Sequence, residues 1–164
     1  MYENIITKKC YNFFHNCTDN FGCFNINTLD IMNKDFEQIS KVSGFMHHNG
    51  GLKFKELSEC NYEFKTTIKD IHLNKREITH GGFICSLIDA GAGTAVYRTT
   101  GQKSCVTVSL DVKFIAPTKK NDEIIGKVKI LKKTKSMVFV NCILKKEDQL
   151  IASASGVWKV IRKI

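Results

Sequence analysis

Proline occurs once in the 164 residues, at position 117, and tryptophan once, at 158. No stretch approaches the ~20 consecutive apolar residues of a membrane-spanning helix, so no membrane span is expected. There is no Cys-x-x-Cys pair, which leaves a zinc site without its usual ligands. The seven cysteines, at 10, 17, 23, 60, 85, 105 and 142, are odd in number and irregular in spacing, a poor disulfide framework. Cys85, Cys105 and Cys142 lie in apolar stretches and read as small core residues. This usage favours a reducing compartment, cytoplasmic or mitochondrial/organellar, over secretion. No internal repeat is present. The N-terminal stretch lacks the uninterrupted apolar core of a signal peptide. Its few acids and two lysines are compatible with a short organelle-targeting role, and it is expected to pack loosely.

Acidic residues are in deficit: 16 against 25 lysines and arginines, a formal net charge of +9. Two readings follow: a solvated basic surface, or attraction to a polyanion such as nucleic acid, lipid head groups or a phosphorylated small molecule. The length suits one domain, long enough to bury roughly 70% of the unfolded chain's surface. An apolar fraction of 43% and a charged fraction of 25% are ordinary for a globular chain.

The pattern along the chain predicts a helix, two strands, a second helix and four strands. "NKDFEQISKVSG" reads as the first helix, with Asn33 as cap, Phe36 and Ile39 on one face and Gly44 at the end. Tyr62, Phe64, Thr66 and Ile68 alternate with polar residues as a half-buried strand. Val106, Val108, Leu110, Val112 and Phe114 alternate with Cys105, Thr107, Ser109, Asp111 and Lys113, which puts Thr107 on the polar side. This strand must stop near Pro117, since proline cannot donate to a ladder. Further strands follow at Ile124, Val128 and Ile130, at "SMVFVNCILKK" and at "QLIASASGVWKVI". One face of such an antiparallel sheet must be covered, and the helix starting near His80 is the only later element able to cover it.

That second helix is unusual. Phe83, Ile84, Leu87, Ile88, Ala92, Ala95 and Val96 recur at helical spacing, and the other positions are small or apolar except Asp89. A helix apolar all round reads as buried. Gly91 and Gly93 each cost about 1 kcal/mol in a helix interior relative to alanine, which suggests close approach by another backbone or by a second subunit. An unpaired carboxylate in such surroundings is costly to bury. Asp89 therefore either reaches solvent or a backbone donor, or serves as a general base or nucleophile in a wet cleft. The His-Gly-Gly start supplies backbone amides without intrahelical partners, where a carbonyl oxygen can be polarised; alternatively, it only makes a tight entry turn.

Taken together, "LNKREITHGGFICSLIDAGAGTA" and "VSLDVKFIAPTKKND" resemble the hotdog-fold acyl-CoA thioesterases, in the branch of the phenylacetate-pathway and acyl-CoA thioesterase 13-type enzymes. Asn74, His80, Gly81, Gly82, Asp89 and Pro117 fill the family's positions, and the resemblance covers roughly residues 34–164, leaving 1–33 as an N-terminal extension. It implies an α+β hotdog fold, about six antiparallel strands wrapped around a long central helix. It also implies a homodimer with a continuous sheet, or a homotetramer, with Asp89 of one subunit facing Asn74 and Gly81 of the other. The implied reaction is hydrolysis of an acyl-CoA thioester to free acid and coenzyme A, with no metal and no cofactor, coenzyme A being part of the substrate. Gly81 and Asn74 would hold the carbonyl, Asp89 would be base or nucleophile, and Thr107 would place the water. His80 would orient the asparagine, sit near the sulfur or be structural. Gly82, Ser109, Phe114, Lys132, Lys133, Lys135 and Ser136 would bind substrate, the lysines meeting the phosphates or simply being solvated. The segment Ser43 to Cys60 departs from the family pattern. His47 and His48 there lack the partners of a metal site. The alternatives are a non-catalytic acyl-CoA or acyl-carrier binding module, a hotdog hydratase or dehydratase, and a nucleic-acid binder; the last lacks a basic stripe interleaved with aromatics.

Overall fold

Alternating burial along five of the seven strands, with one face closed and the other open, defines the architecture. The computed structural model describes residues 35–161. The strands are β1 (Glu37–Ile39), β2 (Leu52–Ser58), β3 (Asn61–Thr67), β4 (Cys105–Phe114), β5 (Glu123–Lys133), β6 (Met137–Lys146) and β7 (Gln149–Val160). They form one antiparallel sheet in the order β1-β2-β3-β5-β6-β7-β4. Among the described residues two α-helices accompany them, a short α1 (Phe45–His48) and the 19-residue α2 (Gly81–Thr99). The sheet wraps α2, as the resemblance implies, with seven strands rather than about six.

The predicted first helix is not formed. Residues 37–39 are a strand laid on the edge of β2, in the register Glu37↔Phe54 and Ile39↔Leu52, and among the described residues nearby the one α-helical turn is α1. Two apolar residues three apart are a weak helical signal, and the free edge of β2 offers ladder hydrogen bonds that override it. Phe36 lies beneath Lys65 Nζ, 4.9 Å from the ring centroid, and Glu37 pairs with Arg98 near the end of α2. The expected helix cap, Asn33, and the expected loose extension, with Cys10, Cys17 and Cys23, lie outside the described residues.

The core is the space between α2 and the inner sheet face. Phe54, Tyr62, Phe64, Leu87, Ile88, Leu144 and Trp158 are each at most 2% exposed. Burying one such side chain contributes on the order of 1.5–3 kcal/mol. Cys142 is part of this core, and burial pushes its thiol up to about 12. Cys85 and Cys105 are only half-buried, unlike the expectation for them.

The helix itself is not buried all round. Its covered residues are Phe83, Ile84, Leu87, Ile88, Gly91, Ala92, Ala95 and Val96, a single face. Cys85, Ser86, Asp89, Ala90, Gly93 and Thr94 on the other side are only partly covered, and Tyr97 is exposed. The close neighbour that explains Gly91 belongs to the same chain. A Cβ there would overlap the Phe64 ring, and so would one at Gly126, which faces Phe64 across the β3–β5 ladder. Phe64 is wedged between two glycines on opposite sides of the core. Gly91→Ala therefore gains helix propensity yet overpacks the ring, and a net destabilisation of about 1–3 kcal/mol is expected. A urea denaturation midpoint equal to or above that of the parent chain would contradict the wedge.

Candidate active site

The start of α2 is organised by His80. Its ring Nδ1 accepts from the Gly82 amide at 2.9 Å, and its carbonyl accepts from Phe83 and Ile84. Histidine is an uncommon N-cap, but a ring nitrogen there meets the same need as a serine or aspartate oxygen. The consequence is selective. Among the described residues, the Gly81 amide is left as the one first-turn donor with no acceptor. Gly82 is thus consumed by the cap and does not present its amide to a ligand.

Asn74 shares a cavity with Gly81. Its Oδ1 accepts from the Arg76 amide at 2.8 Å, which turns its Nδ2 into the outward donor. The cavity, about 320 Å³, is also lined by Ile78, Ile84, Phe114, Ile115 and Pro117. The Phe114 ring lies 3.5 Å from where a Gly81 side chain would begin, so glycine keeps the amide approachable. A buried hydroxyl pair holds this end together: Thr118 Oγ1 donates to Thr79 Oγ1 at 2.7 Å, and the Thr79 amide donates to the Thr118 carbonyl at 2.8 Å. Nothing in the isolated pattern of either threonine signals this clasp.

His72 lies beneath the same helix start. It is 2% exposed, and its ring stacks on Phe83 at 3.6 Å between centroids. Nδ1 accepts from the Lys69 amide and Nε2 donates to the Asn49 carbonyl, both at 3.0 Å. Desolvation lowers the ring's pKa, the bond to Asn49 partly opposes this, and the Lys69 charge adds to the lowering.

A second cavity of about 320 Å³ holds Asp89, with Ala90, Gly93, Thr94, Tyr97, Cys105, Val106, Thr107 and Trp158. Thr107 Oγ1 donates to Asp89 Oδ1 at 2.6 Å. This contact exists because β4 is bulged against β7 between Thr107 and Ser109. The extra residue, Val108, changes the phase of the strand. Cys105 and Thr107 face the helix before the bulge, whereas Leu110 and Val112 face it afterwards. Thr107 therefore points to the helix and not to the opposite, polar face expected from simple alternation. Ser109 pairs with Val157 on the outer face, away from both cavities.

The predicted lysines gather at the β5–β6 hairpin, near the C-terminal end of α2. Lys133 Nζ donates to the Thr99 carbonyl at 3.0 Å, so this cation caps the helix, where the macrodipole favours it. Ser136 is fixed through its carbonyl, which accepts from the Val160 amide at 2.8 Å. Lys132, near the end of β5, and Lys135, in the loop that follows, are exposed. Among the described residues no group of three or more His, Cys, Asp or Glu side chains could hold a metal ion, and no helix is long and apolar enough to cross a membrane. His47 bonds the Ser40 carbonyl at 3.1 Å.

In one chain the two cavities lie at opposite ends of β4, with Phe114 at the Asn74–Gly81 end and Cys105 at the Asp89 end. The sequence profile of the Thioesterase superfamily matches residues 77–153, which span parts of both cavities. A Pseudomonas aeruginosa protein provisionally named an esterase is 30% identical over 92 residues, covering 56% of this chain and 69% of that protein. The chain belongs to the thioesterase superfamily. Mouse acyl-coenzyme A thioesterase 13 is 30% identical over 87 residues, 52% of this chain and 62% of that protein. Among solved structures, zebrafish thioesterase superfamily member 2 superposes with a TM-score of 0.68 at 17% identity, covering 74% of this chain and 90% of that one. A Streptococcus pneumoniae thioesterase protein solved with coenzyme A gives 0.64 at 16%, covering 70% and 88%. These structures establish that the superfamily's hotdog fold is the fold of this chain.

Two outcomes test the scaffold of the candidate site. His80→Ala is expected to cost about 1 kcal/mol of stability while His80→Asn restores most of it, read by urea denaturation; equal losses would mean that the ring is not a cap. For His72, whose pKa is lower folded than unfolded, the contribution to stability is complete above the unfolded value of about 6.5 and lost as pH falls from there toward the folded value. The denaturation midpoint should therefore drop between pH 7.5 and 5.5, and His72→Gln should flatten that slope; an unchanged slope in the variant would assign the titration elsewhere.

Proposed function

We propose that this thioesterase hydrolyses an acyl-CoA thioester to the free acid and coenzyme A in a site shared by two protomers. The observation that carries the reading is the placement of complementary half-sites at the two ends of one edge strand. β4 ends the sheet, ten residues long, and exposes Val106 and Val108, with Ile115 just beyond it, at roughly half of their surface. A long apolar edge of this kind is a template for pairing with another chain. Two-fold antiparallel pairing of β4 with itself would set the Phe114 end of one protomer beside the Cys105 end of the other. Asn74 and Gly81 of one protomer would then face Asp89 and Thr107 of its partner. The same pairing would cover the small-residue side of α2.

The chemistry follows from the donors and acceptors present. Asn74 Nδ2 and the Gly81 amide would hold the thioester oxygen, and each such donor is worth on the order of 3 kcal/mol once negative charge develops there. In one route Asp89 takes a proton from water as its oxygen bonds to the carbonyl carbon; the carbon–sulfur bond then breaks, and the thiolate is protonated to give coenzyme A. In the other, Asp89 attacks the carbonyl carbon directly, the carbon–sulfur bond breaks to release the thiolate, which is protonated to coenzyme A, and water hydrolyses the resulting anhydride to the free acid and the restored carboxylate. Thr107 fixes the carboxylate in both. No cofactor enters either route. Acyl-CoA as the substrate class is supported by the named activity of the mouse relative and by the coenzyme A in the Streptococcus pneumoniae structure. Lys132 and Lys135, on the exposed hairpin, are candidates for the coenzyme phosphates as point charges; Lys133 has its helix-capping role.

Mixed dimers test the shared site. Asp89→Asn and Asn74→Ala are each expected to lower kcat by about 10²–10⁴-fold, read by free thiol release. Refolding the two variants together should restore about one quarter of wild-type turnover, because half of the dimers are mixed and each carries one intact site. No recovery on mixing would place both residues in one protomer's site. No thiol release by the wild type across short, medium, long and aromatic acyl-CoA substrates would end the hydrolase reading.

A further inference from the structure

Five side-chain donors line the Asp89 cavity, and four have acceptors within the chain. Thr107 donates to Asp89, and Thr94 to the Ala90 carbonyl at 2.7 Å. Tyr97 donates to Gln102 Oε1 at 3.5 Å, and the Cys105 thiol to the Gly93 carbonyl at 3.6 Å. The fifth is the indole N–H of Trp158, which has no acceptor among the described residues. Trp158 is only 2% exposed, yet it forms part of the cavity wall. Its Nε1 lies 3.5 Å from where a Cβ on Gly93 would stand. No buried polar side-chain atom among the described residues is sealed off without a partner, so the small exposed part of Trp158 includes this nitrogen. A donor buried to this degree normally finds an acceptor.

We infer that Trp158 is a specificity-determining residue of this site: its indole N–H donates to an oxygen carried by the bound acyl group, so acyl groups bearing a carbonyl or hydroxyl oxygen are preferred to plain hydrocarbon chains of the same length. The inference rests on the hydrolase reading above. Gly93 follows Asp89 by one turn of α2, which sets the donor about 6 Å along the helix from the carboxylate. The oxygen therefore belongs a few bonds from the reacting carbonyl. The walls between them are Ala90, Gly93 and Val106, which offer no side-chain donor or acceptor. A plain chain lying against these walls displaces water from the indole N–H and leaves it unpaired. That penalty, and not a loss of apolar contact, discriminates against such a chain. Gly93 matters for the same reason, since it carries no side chain to stand between the ligand and the nitrogen.

Matched substrates test this on the full-length protein. For an acyl-CoA and its hydroxy- or keto-substituted counterpart of equal length, the wild type should favour the oxygenated member in kcat/KM, and Trp158→Phe should reduce that preference about tenfold. A ratio unchanged by the substitution, or equal loss on both members, would overturn the inference. Because Trp158 is the only tryptophan in the chain, intrinsic fluorescence of the wild type reads the same wall without any variant. Titration with the oxygenated free acid should shift the emission more than titration with the plain acid. A larger response to coenzyme A alone would give the N–H to a pantetheine amide carbonyl and overturn the assignment to the acyl group. Failure of the wild type to hydrolyse any member would instead sink the proposed reaction, while the fluorescence titration would still decide what the indole binds.

Discussion

One sheet can cover only one side of a helix, and α2 is a helix with no charged face to turn outward. Its larger apolar residues, among them Leu87, Ile88 and Val96, are spent on the inner face of the sheet. The side left over carries Cys85, Ser86, Asp89, Ala90, Gly93 and Thr94, residues too small to make a second core and with a single charge among them. The β4 edge runs alongside with Val106 and Val108 exposed. Contiguous apolar surface rimmed by polar groups marks a place of association. A site built there gains a dry environment only when something closes over it, and a lone carboxylate on that side acquires its chemistry from the same event.

The Val108 bulge is what brings Thr107 to Asp89 in the candidate site. A strand alternates strictly, so a threonine that follows the polar phase of Ser109 and Asp111 should face outward with them. Inserting one unpaired residue reverses the phase for everything before it. Thr107 then stands opposite Trp158 on the inner face and reaches Asp89, while Leu110 and Val112 keep their places against the core. The irregularity costs ladder hydrogen bonds at an edge where there are fewest to lose.

This also separates what was legible in the sequence from what was not. The sheet-and-helix architecture could be read because β3, β5, β6 and β7 alternate cleanly and because α2 is so consistently apolar. The candidate site residues could be nominated through their joint spacing, but the orientation of Thr107 could not, since a bulge leaves no periodic signature. The 37–39 strand was misread because three residues pairing with β2 are decided by a neighbour's free edge, a tertiary fact. The neighbour expected at Gly91, another backbone or a second subunit, is instead a side chain of the same chain, for the same kind of reason. The ring that fills its place, Phe64, lies 27 residues earlier on another element, and its second glycine, Gly126, is 35 residues later still. Trp158 was legible as part of the last strand but not as cavity wall, because strand position and the direction of one nitrogen are separate facts.

The His-Gly-Gly start shows how finely the local chemistry is divided. An α-helix opens with four amides that lack intrahelical acceptors, and satisfying all of them would leave nothing to bind a ligand. Three have acceptors: the His80 amide donates to the His72 carbonyl, Gly82 to the His80 ring and Phe83 to the His80 carbonyl. The remaining amide is on Gly81, whose missing side chain would otherwise stand against Phe114 at the cavity mouth. The same division occurs at Asn74, where one end of the amide is held by Arg76 and the other is left as a donor. In both residues a bond within the chain fixes the group, so its remaining donor is aimed before any ligand arrives. A donor that needs no reorientation stabilises developing charge more than one that must first be ordered. The two residues nearest the carbonyl in the proposed site are thus those whose other hydrogen bonds are already made.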